Sequence, residues 1–362
     1  MSIYSEILDL NGAGRRAVMA TVTGRAGSGP RGEGAGCLIE DGRVIFGSVG
    51  GGMVEAGACR AASEVAATGF PARLYFNLNG TEAAEAGMLC GGEMSLFLER
   101  VSPAHPADLA LFERLKFILR GKDPALAVTA LDECGWVAGE CSPRIVIERD
   151  GRVTGDLKTG GSVEAVFFRD FEGFVRSGAC VVKNMTAETG AGREFFLEPV
   201  VPRPVLCIFG GGHVSRALTP VAAMVDFKVV VVDDRPEYAR PEDFPRADRV
   251  LCMPFDDVMG GLDTARHTCI VIATRGHIHD MTVLMQALRT DAGYVGMIGS
   301  SRKREILFQR LLAEGFTDQD LKRVNTPIGM DIGAETPAEI AVSIVAELVL
   351  VRAGGPTRRK EG

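Results

Sequence analysis

The chain has 362 residues, with 40 basic and 47 acidic side chains and a formal net charge of −7. This length exceeds one typical domain and accommodates two. The 46% apolar and 24% charged residues are the balance of a globular protein with a full core. The negative charge argues against a nucleic-acid partner, because such partners usually require a basic surface.

The first ten residues lack the basic and apolar segments of a secretion signal, and no apolar stretch is long enough for a membrane span. We therefore expect a cytoplasmic protein with no membrane partner. The nine cysteines form no C-x-x-C pair, which disfavours structural zinc. Cys207 and Cys269 lie in apolar strand patterns and are expected in the core, whereas Cys90 stands in a context that suggests chemistry.

The first half of the chain combines short strands with glycine-rich turns, the pattern of a mixed α+β domain. Asp41-Gly42 is a strong hairpin signal between two of the strands. Strands are predicted at Ala17–Thr23, Cys37–Glu40, Arg43–Phe46, Ala72–Leu78 and Glu93–Val101, and helices at Met53–Thr68 and Asp108–Arg120.

Three prolines within Glu198–Pro204 mark a domain boundary, where we expect neither a helix nor a central strand. The predicted organisation is an N-terminal α+β domain at 1–198, a proline-rich linker at 199–204, a C-terminal domain at 205–352 and a tail at 353–362.

After this boundary, continuous apolar strands alternate with helices, which implies a parallel sheet with right-handed crossovers. Thr336–Glu339 is a capping box for a last helix that should run to about Arg352. Strands are predicted at Val205–Phe209, Val229–Val232, Cys269–Ala273 and Tyr294–Ile298. The predicted fold class is α/β: a mixed α+β domain followed by a Rossmann-like, doubly wound parallel sheet.

The turn Gly210–Ser215 lies between a strand and a helix and reads as G-x-G-x-x-S. Asp233 closes the second strand 21 residues past Gly212, where a dinucleotide site places an acid on the ribose hydroxyls. Glycines let a phosphate approach the backbone, and the helix N-terminus offers free amides. The alternative is a tight turn without a ligand.

Further candidate chemistry lies in three other segments. Gly50–Gly52 precedes a helix and has the same amide geometry, and Arg25 and Arg31 offer two guanidinium groups for a phosphate. Cys90 precedes two glycines, which suits a thiolate ligand or a persulfide carrier. The loop Thr274–Asp280 contains two histidines that favour substrate contact over metal binding. Each of these segments also has a plain structural interpretation as a turn, a solvated surface or a core thiol.

Together, these segments resemble the XdhC/CoxI family along nearly the whole chain. The matching stretches are Ala20–Thr23, Gly27–Arg31, Gly47–Gly52 with Glu55, Cys90–Glu93, Phe209–His213, Val232–Arg235, Thr274–Asp280, Tyr294–Lys303, Pro327–Gly333 and Glu335–Ser343. Met53 stands where some members have a second cysteine, so a mechanism that needs two thiols is in doubt.

The resemblance implies a maturation factor, not an enzyme: a chaperone that binds the molybdenum cofactor (molybdopterin), assists its sulfuration and inserts it into an apo molybdenum hydroxylase such as xanthine dehydrogenase. A cysteine desulfurase and a second copy of the chain are the other partners considered. Cys90 would contact molybdenum or carry the persulfide. The cofactor-binding candidates, including a site for NAD or another nucleotide, are Arg25, Arg31, Gly50, Gly51, Gly52, Glu55, Gly91, Gly92, Gly210, Gly211, Gly212, His213, Asp233, Arg275, His277 and His279.

Two other functions remain open at this stage. An NAD-dependent oxidoreductase is favoured by Asp233 and the glycine turn, and opposed by the lack of a recognisable acid–base pair. A nucleotide-sensing regulatory module would bind a partner enzyme without molybdopterin and would be indifferent to the loss of Cys90.

Overall fold

A computed structural model describes residues 2–78, 92–132, 135–159, 162–186, 192–262 and 264–355. The chain divides into two compact units, Met1–Pro202 and Arg203–Gly362. Among the helices of the described residues, none combines the length and apolar character that crossing a membrane requires.

The N-terminal unit begins with an antiparallel sheet of strand order β3-β2-β1-β5-β4. Its elements are α1 Ile3–Gly12, β1 Ala17–Gly27, β2 Gly36–Glu40, β3 Arg43–Gly47, α2 Gly52–Thr68, β4 Ala72–Asn77 and β5 Gly92–Ser102. Asp41 and Gly42 both have positive φ, as the predicted hairpin requires. Helix α2 buries Val54, Ala58 and Val65 in one core with β1 and β5.

A second antiparallel sheet in this unit has the strand order β8-β7-β6-β10-β9. Its elements are α3 Pro106–Arg120, β6 Ala125–Ala130, β7 Arg144–Glu148, β8 Val153–Asp156, α4 Ser162–Arg169, α5 Phe171–Ser177, β9 Val181–Thr186 and β10 Gly192–Val200. Contrary to expectation, Pro199 belongs to this sheet and lies opposite Leu126. Because β9 pairs with β10 only as far as Leu197, Pro199 lies where one side of β10 has no paired strand among the described residues, and a missing N–H is tolerated there.

The C-terminal unit is a six-stranded parallel sheet of order β13-β12-β11-β14-β15-β16. Its elements are β11 Val205–Phe209, α6 His213–Met224, β12 Lys228–Asp233, β13 Arg249–Cys252, β14 Thr268–Ile272, α7 His277–Leu288, β15 Tyr294–Met297, α8 Ser301–Ala313, α9 Asp318–Leu321, β16 Val324–Asn325 and α10 Pro337–Arg352. The order reverses between β11 and β14, which is the doubly wound Rossmann arrangement. The predicted fold class is confirmed.

The strands of this unit lie in its hydrophobic core, as their continuous apolar sequence requires. The continuous apolar runs of β11, β12 and β14 are buried between two hydrophobic clusters, which include Cys207 and Cys269 as predicted. The predicted capping box is present at α10, where the Glu339 carboxylate accepts a hydrogen bond from the Thr336 N–H at 2.9 Å. All six strands end at one edge, and ligands of such sheets bind at that edge.

Candidate functional site

Three segments of the C-terminal unit meet at the carboxyl edge, where the strand order reverses. The glycine turn after β11 packs on the end of β14: a Cβ on Gly210 would lie 2.3 Å from the Ala273 carbonyl oxygen. Arg275 forms an ion pair with Asp234, with Nη1 2.7 Å from Oδ1. The structure thus brings together the predicted glycine turn, the end of β12 and the loop after β14.

Asp233 has a different environment from the one that a ribose contact needs. Its side chain is 1% exposed, and its Oδ2 accepts a hydrogen bond from the Gly211 N–H at 2.7 Å. Oδ1 accepts from the N–H and the Nε of Arg235, both at 3.0 Å. Burial raises the pKa of this carboxyl, but the hydrogen bonds from Arg235 and Gly211 outweigh it and hold the pKa below its ordinary value. The Asp233 carboxylate therefore stabilises the glycine turn through hydrogen bonds in the interior of the protein.

A cleft of about 270 Å³ opens beside the glycine turn. It is lined by Gly212, His213, Arg216, Glu237 and Tyr238. Among the described residues, no side chain caps helix α6 and no atom lies within 4 Å of a Cβ built on Gly212, so the first amides of the helix are approachable. Phosphate binding at this helix start is sterically open.

The two predicted histidines after β14 lie in different surroundings. His277 is exposed at the first position of α7, whereas the His279 ring packs edge-on against Phe255 with centroids 5.6 Å apart. Within the described ranges, no group of three His, Cys, Asp or Glu side chains is placed to hold a metal ion.

A buried ion pair lies next to these histidines and was not among the predicted site residues. Asp280, 1% exposed on α7, is paired with the Lys303 ammonium from α8. Its other oxygen accepts a hydrogen bond from the Thr274 hydroxyl at 2.7 Å. In the sequence, Lys303 ends the stretch Tyr294–Lys303, which resembles the XdhC/CoxI family. Its partner Asp280 is identified only from the fold.

In the N-terminal unit, the arginine loop (residues 25–31) meets the glycine loop (residues 47–52). A Cβ on Gly50 would lie 2.4 Å from Cγ of Pro30, and the φ of Gly50 is +125°. Gly27 pairs with Gly92 at the start of β5, and a Cβ on Gly92 would lie 2.7 Å from the Ser28 carbonyl oxygen. Glycine is needed at Gly50 and Gly92 because the loops approach each other so closely.

Glu55 turns back from α2 onto the glycine loop. Its Oε1 accepts hydrogen bonds from the Ser48 hydroxyl at 2.7 Å and from the Val49 N–H at 3.2 Å. Burial raises the pKa of Glu55, but these bonds and the amides of Gly50 and Gly51 outweigh it and lower the pKa. An internal carboxylate thus lies where the sequence predicted a phosphate.

Arg25 and Arg31 are exposed, and neither forms an ion pair with a carboxylate of the described residues. Exposed guanidinium groups can bind an anion through charge-assisted hydrogen bonds. The predicted residues Cys90 and Gly91 lie outside the described residues.

A cluster of buried charges, which the sequence did not predict, lies between the two sheets of this unit. The Arg144 guanidinium pairs with Glu99, which is 1% exposed, and Glu198 lines the same cavity of about 20 Å³. One oxygen of Glu99 is buried without a hydrogen-bond partner among the described residues. The space is that of one water molecule, which makes the cluster an interior feature and not a cofactor pocket.

Comparison with known proteins identifies the family. Residues 206–348 match the XdhC Rossmann domain, and residues 10–77 match the XdhC and CoxI family. The chain belongs to the XdhC and CoxI family. The resemblance predicted from its motifs is confirmed.

This XdhC/CoxI family member is 29% identical over 229 residues to the uncharacterized protein YqeB of Escherichia coli K12. It is 32% identical over 159 residues to a probable xanthine dehydrogenase subunit from Bacillus subtilis 168. The matches cover 59% and 44% of this chain but only 41% and 46% of these two relatives. A third relative, the molybdenum cofactor insertion chaperone PaoD of E. coli K12, is 22% identical over 94% of this chain and 85% of its own length.

Among solved structures, a Bacillus halodurans protein described as a xanthine dehydrogenase has a similar fold. The TM-score is 0.78 at 24% identity, over 100% of this chain and 98% of that protein. At this identity the likeness establishes the fold.

Proposed function

We propose that this chain binds the molybdenum cofactor as cargo and delivers it to a molybdenum hydroxylase of the xanthine dehydrogenase type. Family membership and the similarity to PaoD along 94% of the chain support this role. The structural observation that carries the proposal is the convergence of the arginine loop, the glycine loop and Gly92 within the N-terminal unit.

The chemistry of these residues suits the two ends of the cofactor. Arg25 and Arg31 are exposed guanidinium groups that suit the terminal phosphate of the pterin. Because Glu55 already engages the amides of the glycine loop, we assign the phosphate to the arginines and a packing role to Gly50. Cys90 precedes Gly92 by two residues and would supply a thiolate, a soft ligand, for molybdenum or its sulfur.

The C-terminal unit would bind a nucleotide, or the nucleotide part of a cofactor, in the cleft at the start of α6. The open Gly212 and the uncapped helix support this part of the proposal. The buried, fully engaged Asp233 favours a ligand held through its phosphates over one held through its ribose.

We extend the proposal to three further steps that rest on the family resemblance. The chain would protect the cofactor while its terminal sulfido ligand is installed, with a cysteine desulfurase as the sulfur source. It would act in the cytoplasm as a homo-oligomer.

The test is anaerobic incubation of the full chain with free molybdenum cofactor, followed by gel filtration and quantification of molybdenum and pterin. We expect retention near one cofactor per chain. We expect cofactor retention to fall in Cys90→Ala. In the double variant Arg25→Gln/Arg31→Gln we expect a fall of about tenfold, because charge-assisted hydrogen bonds to the phosphate are lost.

Matched controls keep the residue type and change the location. Cys252→Ala removes an exposed thiol of the C-terminal unit, and Arg16→Gln/Arg43→Gln removes two exposed arginines outside the arginine loop. Both should retain the cofactor like the unmodified chain. Failure of the unmodified chain to retain cofactor under conditions where NAD binds would refute the carrier and favour the enzyme or the sensor.

A further inference from the structure

The two arginines of the arginine loop differ in how their side chains are packed. Arg25 lies opposite Met94 where β1 pairs with β5, and residues opposite each other on antiparallel strands project from the same face of the sheet. Met94 is 2% exposed and belongs to the core that α2 shares with β1 and β5. After β1 ends, the chain turns back so that Gly29 lies beside both side chains.

The distances at Gly29 show how closely the stem of Arg25 lies. A Cβ on Gly29 would lie 2.7 Å from Cδ and 3.0 Å from Cγ of Arg25, and 3.5 Å from Sδ of Met94. The φ of Gly29 is not in the left-handed region, so its backbone conformation tolerates a residue with a side chain. The space that a side chain at position 29 would need is instead filled by the arginine stem.

This packing leaves the guanidinium of Arg25 at the surface. The residue is exposed, and its guanidinium forms no ion pair with a carboxylate of the described residues. Arginine commonly packs its aliphatic stem on the protein and keeps its charged end in water. A stem that is already packed loses less conformational entropy when an anion binds than a stem that is free. Arg25 is therefore preorganised for an anion.

Arg31 lacks this support. It is exposed as well, and apart from its chain neighbour Gly32, no described glycine has the Arg31 stem among its nearest atoms. The described residues give the Arg31 side chain no hydrogen bond, ion pair or aromatic contact. Its side chain must be ordered when an anion binds, which lowers its contribution to affinity.

We propose that Gly29 is a positioning residue that holds Arg25 as the phosphate-binding arginine of this loop, with a minor contribution from Arg31. The segment that carries Gly29 is itself packed, because Pro30 lies against Gly50 of the glycine loop. This inference rests on the proposed function, in which the arginine loop binds the terminal phosphate of the cofactor, and it assigns that contact to one side chain. A terminal phosphate can accept two parallel hydrogen bonds from one guanidinium.

The test is isothermal titration calorimetry of the full chain with inorganic pyrophosphate at low salt. All chains carry Gly212→Asp, because a carboxylate at that position would occupy the first amides of α6 and keep pyrophosphate out of the cleft beside it. We expect affinity to fall about tenfold in Arg25→Gln, by less than about twofold in Arg31→Gln and about fivefold in Gly29→Ala. Gly29→Ala should melt at the temperature of the background chain, because only a side chain has to move.

Gly32→Ala is the matched control in the same loop, because no described atom beyond its chain neighbours lies within 4 Å of a Cβ at that position. It should bind pyrophosphate like the background chain. Added to Arg25→Gln, Gly29→Ala should cause no further loss, whereas a general distortion of the loop would weaken binding again. The positioning role is refuted if Gly29→Ala binds like the background chain, if it weakens binding equally without Arg25, or if the background chain binds no pyrophosphate.

Cofactor retention separates this inference from the proposed function. A chain that shows the Gly29 effect with pyrophosphate but retains no molybdenum cofactor keeps the positioning of Arg25 and loses the carrier role. A chain that retains the cofactor without the Gly29 effect keeps the carrier role and loses the positioning.

Discussion

The carboxyls of partly buried Glu198 and fully buried Glu99 lie near a single guanidinium, that of Arg144. Burial raises its pKa to about 7 from an ordinary 4.5; the charge of Arg144 opposes this shift and that of Glu99 adds to it. Burial also raises the pKa of Glu99, against the opposing effect of Arg144. The remaining group that faces Glu198 is the Tyr4 hydroxyl from α1. The single charge of Arg144 does not offset two carboxylates in this interior site, so the fold favours a protonated Glu198.

The pH dependence of stability follows from this shift. Below pH 4.5 the carboxyl of Glu198 is protonated in both folded and unfolded chains, so its ionisation does not lower the free energy of unfolding. As the pH rises to about 7, the unfolded chain loses its proton first, and the free energy of unfolding falls by at most roughly 3 kcal/mol. Glu198→Gln should therefore raise stability at pH 8 and leave it unchanged at pH 4.5. Urea unfolding across this range measures the effect.

The matched control for this prediction is Glu113→Gln, which removes an exposed carboxyl from α3. It should show the same slope of stability against pH as the unmodified chain. A variant at Glu198 that keeps the full slope, or is less stable at pH 8, would contradict the assignment.

At the scale of elements, the glycine turn between β11 and α6 contains two adjacent glycines, of which only the first lies in a crowded position. A Cβ on Gly211 would lie 2.0 Å from the Tyr238 carbonyl oxygen, while a Cβ on Gly212 would meet no described atom within 4 Å. The turn segment Pro236–Tyr238 thus lies directly on Gly211. The guanidinium of Arg235 stacks on the Tyr238 ring, with Cζ 3.6 Å from the ring centroid. Gly211 packs the turn, and Gly212 lines the cleft.

The pair gives a prediction with its own control. Gly211→Ala should destabilise the chain by about 1–3 kcal/mol, because a backbone carbonyl must move to make room. Gly212→Ala should cost less than about 1 kcal/mol, since its backbone is extended and the space is open. Thermal unfolding of the two variants compares them directly. Equal losses would show that the contact with Tyr238 does not shape the turn.

Elements with a clear period or a specific signal were predictable, and those defined by partners were not. The four valines of β12 and the capping box of α10 carry their structure locally, and the structure bears both out. Helix α1 was not predicted, although the Ser2 hydroxyl caps it by accepting a hydrogen bond from the Ser5 N–H at 3.2 Å. Because the helix is short, it also depends on the packing of Ile7 and Leu10 in a core shared with α3 and the sheets.

The same distinction holds for the candidate site, where the loops were predictable from the sequence and the contacts of the charged side chains were not. The sequence located the glycine turn, but the inward role of Asp233 depends on Gly211 and Arg235, whose contacts only the fold reveals. Likewise, Lys303 lies 23 residues beyond Asp280, and no spacing rule links them. Sequence patterns therefore identify the loops that carry chemistry, while the pairing of charges within them requires the three-dimensional structure.

At the scale of the whole molecule, each unit contains its own core. The two large clusters that flank the parallel sheet draw their buried residues from Leu206 to Leu348, and the four other clusters draw theirs from Tyr4 to Val200. A unit that buries its own apolar surface is expected to fold independently.

We therefore predict that residues 203–355, expressed alone, fold cooperatively. The reason is that the two clusters that flank the parallel sheet draw all their buried residues from this unit. Near-ultraviolet circular dichroism during heating measures the cooperativity of unfolding. A fragment that melts without a cooperative transition would show that the C-terminal core needs residues 1–202.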